Sequence, residues 1–303
     1  MAYYHYSAYQ LAFYSELLVP EFSPLLNPSS QSPDVIIRYG EIPVKLENPI
    51  GEGVLFQVTH NQCLIELDDV ARYLVQNGDE IIIEVQPGAI ESDIRLFLLG
   101  PCMGALLHQR GILAFHAATI STQHGAVLFT GPSGVGKSTM LNTFLKRGYR
   151  MVADDVTGVV LDEDGKPIVL PGFPRTKLWA DAAEALGKST TDLMPTRPGL
   201  QKFEIHVPSQ FESNSVPLHR IYRIINNSRN ELTLTPMQSI HNFRNVIFNT
   251  YREQFLDGLA MRPHHFKLVT AVARHVAMRK LSQPFYAYRL EEAADLIEKD
   301  FQA

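Results

Sequence analysis

A chain of 303 residues, 45% apolar and 19% charged, is long enough for two modest domains and too apolar for wholesale disorder. Its formal net charge of −5, with no basic block, argues against nucleic acid as a partner. The two cysteines, Cys63 and Cys102, lack metal-ligand or redox spacing and read as ordinary thiols of a reducing compartment.

The start, Met1 to Tyr6, has no basic region followed by an apolar run, so no signal peptide is expected. The most apolar stretch, Ile94 to Leu107, is broken by Arg95, Gly100 and Pro101 and is too short to span a bilayer. A cytoplasmic protein without a membrane partner is therefore expected. Residues 20–33 are rich in Pro, Ser and Asn and read as a loop. Strand-like runs follow at Val35–Ile37, Val54–Phe56, Cys63–Ile65 and Ile81–Val85. The stripe Ile94, Leu98, Leu99, Met103, Leu106 and Leu107 predicts a helix over 92–110, with Pro101 starting, kinking or dividing it. Residues 1–110 thus read as a smaller, mostly β N-terminal module with α+β content.

From Gly111 the pattern changes. Ile112–Phe115 and Ala126–Phe129 are continuous apolar runs, as in strands covered on both faces. A Gly-rich turn, a helix to about Arg147 and a third run at Met151–Ala153 complete a strand–loop–helix–strand order. This predicts an α/β core over 111–303. Residues 250–280 read as helical, Phe285–Leu290 as a last strand, and Glu291 onward as a terminal helix.

The turn between the second apolar run and the helix reads Gly131-Pro132-Ser133-Gly134-Val135-Gly136-Lys137-Ser138-Thr139. It matches G-x-x-x-x-G-K-[ST] in the required strand-to-helix setting. Such glycines let backbone N–H groups approach phosphate oxygens, and the helix start aims its positive end at the same anion. In a P-loop, Lys137 reaches the β- and γ-phosphates of ATP and the Ser138 hydroxyl ligates Mg²⁺. At the end of the next strand stand Asp154 and Asp155. Alternation along a strand suits neighbouring carboxylates to two jobs, one binding Mg²⁺ and the other accepting a proton from an attacking hydroxyl.

A single helix separates Lys137 from the aspartates. This compact unit resembles the kinase domain of the HPr kinase/phosphorylase family, whose architecture is similar to that of phosphoenolpyruvate carboxykinase. The resemblance takes in Phe115-His116-Ala117-Ala118, covers residues 111–180 best, and extends more loosely to the C-terminus. It implies a P-loop kinase core in which Asp154 is the general base toward a serine hydroxyl. Asp155 would join Ser138 at Mg²⁺, and His116 would orient Asp154. The family's glycine-rich signature is absent from Leu170–Trp179, so neither phosphorylase activity nor HPr as acceptor is implied.

The whole layout is similar to the HPr-kinase-like lasso peptide precursor kinases. That likeness implies a peptide or protein substrate, here the C-terminal serine of a precursor peptide. An HPr-like carrier protein and a non-catalytic nucleotide-binding regulator stand as alternatives. Family members form oligomers, which implies a homo-oligomer. Arg175, Lys177, Arg197 and Lys202 are phosphate-clamp candidates, each equally readable as a solvated surface cation. His241, His264, His265 and His275 lack a carboxylate or cysteine at ligand spacing and are not read as a metal site.

Overall fold

The computed structural model describes residues 3–26, 32–186, 189, 193, 195, 196, 200–229, 231–238, 240–284 and 289–302. It is a mixed α/β fold built on mixed sheets. The first strands are β1 (Tyr4–Ala8), β2 (Leu11–Ser15), β3 (Ser23–Pro24), β4 (Val35–Tyr39), β5 (Gly51–Gly53) and β6 (Phe56–Val58). Next come β7 (Gln62–Leu67), β8 (Ala71–Gln76) and β9 (Glu80–Val85), then helices α1 (Glu91–Phe97) and α2 (Met103–Gln109). After β10 (Leu113–Phe115), β11 (Ala117–Thr122) and β12 (Gly125–Thr130) comes α3 (Lys137–Lys146). Then follow β13 (Arg150–Ala153), β14 (Thr157–Leu161), β15 (Pro167–Leu170), β16 (Arg175–Trp179), α4 (Ala180–Ala185) and β17 (Lys202–His206). The remainder comprises β18 (Val216–Asn227), β19 (Thr233–Pro236), α5 (Ile240–Phe248), α6 (Phe255–Gly258), α7 (Arg262–His275), β20 (Ala277–Pro284) and α8 (Leu290–Gln302).

These elements form two compact units. One holds Met1–Ala114 with Tyr251–Lys267, and the other Phe115–Thr250 with Leu268–Ala303. In the first unit the strands run in the order β3-β1-β2-β4-β9-β8-β7-β6-β5. They pair in parallel at β2–β4 and β4–β9 and antiparallel elsewhere. Leu64, Leu74 and Ile82 pack with Ile42 and Leu46 on one face. Tyr73, of opposite parity, donates to the Ile94 carbonyl of α1 at 2.9 Å. Cover on both faces explains the unbroken apolar run at Ile81–Ile83.

Pro101 neither starts nor breaks the helical stretch. It lies in a π-helical turn, Leu98–Cys102, between α1 and α2. A proline has no N–H for the carbonyl four residues back, and a wider turn absorbs that defect. Val54 and Leu55, expected in a strand, form the turn between β5 and β6, and β8 was not anticipated. Strand β20 takes in residues 277–280, the end of the stretch expected to be helical, and runs on to Pro284. Of the expected last strand, residues 285–288 lie outside the described residues, and Leu290 opens α8.

The second unit is organised around β12 and β18. The long β18 is parallel to both β12 and β20, while β11 lies antiparallel between β12 and β13. β14 and β15 join through the start of β18, and β16 with β17 forms a separate two-stranded ribbon. Every residue of β12 is buried. One of its faces offers Val127 and Phe129 to Met140, Leu141, Phe144 and Leu145 of α3, with α8 completing the cluster through Ala294, Ile297 and Phe301. Phe129 and Phe144 stack at 5.5 Å between ring centres. Arg147, at the C-terminal cap of α3, pairs with Glu291, Asp295 and Glu298 of α8. Among the described residues no helix is long and apolar enough to cross a membrane.

The Phe144 ring, fully buried between β12 and α8, sets where α3 begins. Phe144→Ala is expected to destabilise the protein by about 3–5 kcal/mol, read as a lower urea midpoint. A loss under about 1 kcal/mol would show that α3 is held in place by something other than this cluster.

Candidate active site

β12 ends at Thr130 and α3 starts at Lys137, leaving residues 131–136 as the connecting loop. Gly131 is needed there twice over. Its φ is +138°, and a Cβ would stand 2.4 Å from the carbonyl oxygen of Ile224 in β18. Gly134 also has a left-handed φ, of +79°, yet a Cβ there would meet nothing within 4 Å. The loop is pinned from two sides. The Gly131 amide donates to Asn249 Oδ1 at 2.8 Å, and Gln283 Nε2 donates to the Val135 carbonyl at 3.0 Å. As at any helix start, the first amides of α3 lack intrahelical acceptors, and they face this loop.

Lys137 is 7% exposed. Its Nζ donates to the carbonyls of Gly131 at 2.8 Å and Pro132 at 3.0 Å. Burial lowers its pKa to about 8 against the opposing pull of Asp155 and Asp154, with Lys202 adding to the lowering.

The two aspartates follow β13 and turn to different partners. Asp154 accepts from Ser138 Oγ at 2.9 Å and the Asp155 amide at 3.0 Å on Oδ1. On Oδ2 it accepts from Thr176 Oγ1 at 2.7 Å and the Lys177 amide at 3.1 Å. Burial, then the charge of Asp155, raises its pKa, and these donors only moderate the rise. Asp155 instead meets Lys177 Nζ at 3.0 Å and His116 Nδ1 at 3.4 Å. Burial opposes its ionisation, but Lys177 and His116 outweigh burial and hold it well below the usual carboxylate range.

The split has a backbone cause. Asp155 has a φ of +72°, and the Val156 amide donates to the Asp154 carbonyl at 2.9 Å. This is a γ-turn centred on a left-handed aspartate, a strained form of the kind found at functional sites.

The pairings expected from sequence are therefore exchanged. His116 lies at Asp155, not Asp154, and Ser138 contacts Asp154, not Asp155. The clamp candidates also separate. Arg175 is buried, bonded to Glu204 at 2.6 Å, and so is no free clamp. Lys177 belongs to Asp155, Lys202 has its Nζ 5.6 Å from the centre of the Trp179 ring, and Arg197 lies outside the described residues. Pro132, Ser133, Val135 and Gly136 complete the loop, while Thr139, in the first turn of α3, is buried and its carbonyl accepts from Thr143 Oγ1 at 2.9 Å. Cys63 and Cys102 are buried and unbonded. Among the described residues no group of three or more His, Cys, Asp or Glu could hold a metal by itself.

Sequence reading missed three members of the site. Thr176 is fully buried and bonds Asp154, and Asn142 bridges the Ser138 carbonyl and Thr176 Oγ1, both at 2.9 Å. Asn142 stands one turn beyond Ser138 on α3, so helical spacing could have found it. Asn249 binds the Gly131 amide, and its own carbonyl accepts from the His116 amide at 2.7 Å. It lies 118 residues from the loop, and no local pattern announces it.

No protein-family model matches the chain, and no curated protein does. Among solved structures it is similar to the Hpr(Ser) kinase/phosphatase from Coxiella burnetii. The identity is 14%, over 62% of this chain and 89% of that one, at a TM-score of 0.35. At that score the likeness carries no functional weight.

The two loop glycines differ in what surrounds them, and substitution separates them. Gly134→Ala is expected to leave a folded protein weaker by about 1–2 kcal/mol, the cost of one left-handed residue. Gly131→Ala must push β12 from β18 and is expected to lower the urea midpoint far more. Equal midpoints for the two variants would show that the contact with Ile224 does not govern the loop.

Proposed function

We propose that this chain is an ATP- and Mg²⁺-dependent kinase that phosphorylates a serine hydroxyl of a peptide or protein. The observation that carries this reading is the pair of buried Asp154 and half-buried Asp155. One faces Ser138, the other faces His116 and Lys177, and both stand beside the Lys137 loop.

The loop amides and the start of α3 suit the phosphate oxygens of a nucleotide. Lys137 exchanges its loop carbonyls for the β- and γ-phosphates. Ser138 and Asp154 offer a hydroxyl and a carboxylate 2.9 Å apart, a donor set that fits Mg²⁺, which keeps its other positions for water and phosphate oxygens. When bound, the ion would neutralise charge on the phosphates and favour ionised Asp154.

Asp155 is the group left to meet the acceptor. In the transfer, the serine oxygen forms a bond to the γ-phosphorus as the bond to the β–γ bridging oxygen breaks. ADP leaves, and the serine proton passes to Asp155. A carboxylate held ionised by Lys177 and His116 is a weak base, which suffices here. Phosphoryl transfer has a loose transition state that demands positioning more than early proton removal. The layout read from sequence favours the C-terminal serine of a lasso-type precursor peptide as acceptor.

The test is mass spectrometry of such a peptide after incubation with the protein, ATP and Mg²⁺, alongside single variants. Lys137→Ala is expected to abolish transfer. Asp155→Asn should keep ATP affinity and lose transfer by about 10²-fold or more, whereas Asp154→Asn should raise the Mg²⁺ concentration needed. Undiminished transfer in Asp155→Asn removes that residue from the base role, and an unmodified peptide in the presence of bound ATP moves the acceptor to another protein.

Lys137 adds a pH signature. Below about 8 it is charged in the free protein, and above that it is neutral. Phosphate favours the charged form, so ATP binding should take up a proton as pH passes above that value, and affinity should fall. Calorimetry in buffers of different ionisation enthalpy measures this uptake. No uptake above that pH would show that Lys137 does not touch the phosphates.

A further inference from the structure

In the β16–β17 ribbon, β16 is buried from Arg175 to Leu178 and emerges at Trp179. Leu178 packs inward with Ala182, Ala183 and Ile205. Residues of the opposite parity on β16 are Arg175, Lys177 and Trp179, and their cross-strand partners are His206, Glu204 and Lys202. This face begins, buried, at the candidate active site, because Lys177 is bonded to Asp155. It ends at Trp179, 44% exposed, with Lys202 over its ring.

Charge on this face is unbalanced. Glu204 is committed to Arg175, and Lys177 to Asp155. Among the described residues no carboxylate lies within ion-pair distance of Lys202, whose ammonium stands over the Trp179 ring. The Lys202 charge is nonetheless felt at Lys137 and Lys177, where it helps to lower both pKa values. Arg175 also retains a buried Nε without a hydrogen-bond partner. Among the described residues this partly exposed cation on an aromatic face has no anion.

The geometry points to an acceptor-binding platform: Trp179 and Lys202 bind an acidic side chain two residues from the hydroxyl that Asp155 receives. This rests on the kinase reading above and specifies its acceptor. The spacing follows from the strand itself. Lys177 and Trp179 are two residues apart, about 7 Å in extended backbone. An extended acceptor lying along the ribbon has the same repeat, so a serine at Asp155 places the residue two positions away over Trp179 and Lys202. Lys202 then supplies the charge, and the indole packs against the stem of the acidic residue.

Trp179 is the only tryptophan of the chain, so its emission reports on this platform alone. Three synthetic peptides are titrated into the full chain carrying Mg²⁺ and a non-hydrolysable ATP analogue. One has serine followed two residues later by aspartate, one has asparagine there, and one has the aspartate moved next to the serine. The first is expected to shift Trp179 emission and to bind at least about tenfold more tightly than the others, a preference that Lys202→Gln removes. Equal affinities overturn the proposal, as does an emission that no peptide alters, or a preference that survives Lys202→Gln. If Lys202→Gln weakens the analogue and leaves the peptides equal, Lys202 is a nucleotide clamp and the platform is wrong. Failure of the kinase reading looks different, since with ATP in place of the analogue none of the three peptides would then gain a phosphoryl group in mass spectrometry.

Discussion

Asp154 and Asp155 are consecutive residues of like charge, and neither is free in water. At the effective dielectric of protein sites, two such charges about 5 Å apart repel by roughly 3 kcal/mol. The fold answers by turning them apart and meeting them with different chemistry. Asp154 receives four neutral donors from α3, β16 and the backbone. Asp155 receives a lysine and a histidine. The consequence is an asymmetric pair. One carboxyl is pushed toward its neutral form, while the other stays charged because its cation is already present.

That asymmetry propagates into the surrounding elements. β16 must approach the end of β13 closely enough to deliver both Thr176 and Lys177, so the ribbon is fixed in place by the site and not only by its own core. α3 contributes through its first two residues, Lys137 and Ser138, and again through Asn142 one turn later. Asn249 ties two parts together, since it accepts from the loop at Gly131 and its carbonyl receives the His116 amide. A shift of α5 would therefore disturb the phosphate loop and the Asp155 partner at once. Buried networks of this kind hold geometry well when every member is satisfied.

Much of this was legible in the sequence, and what was not has a physical reason. The loop could be found because its chemistry demands glycines and a lysine at fixed local spacing, between an apolar strand and an amphipathic helix. The aspartates could be found because they end the next apolar run. Which aspartate serves which role could not be read, because strand alternation says only that neighbours face apart. The choice depends on the left-handed φ of Asp155, and nothing in Ala153-Asp154-Asp155-Val156 announces a γ-turn. Thr176, Asn249 and the pairing of Lys177 with Asp155 were hidden for another reason. Their roles arise from contacts across 22 to 118 residues, beyond any local period. Arg175 misled because a loop cation near a phosphate site has the composition of a clamp, while its neighbour across the ribbon, Glu204, had already claimed it.

The strain at Asp155 fits this account better than a purely structural origin. A left-handed, non-glycine residue in a γ-turn costs about 1–3 kcal/mol, and a glycine there would relieve it. Burying Asp154 and half-burying Asp155 adds a further penalty that apolar residues would avoid. A position selected only for stability would carry neither feature. Both become intelligible if the carboxylate must point away from its neighbour, toward His116 and Lys177. The same turn that weakens the chain locally separates the Asp154 carboxylate, beside Ser138, from the Asp155 carboxylate, beside Lys177 and His116. It does so within a single peptide unit, a spacing that relaxed strand geometry does not offer with both groups still within reach of α3 and β16.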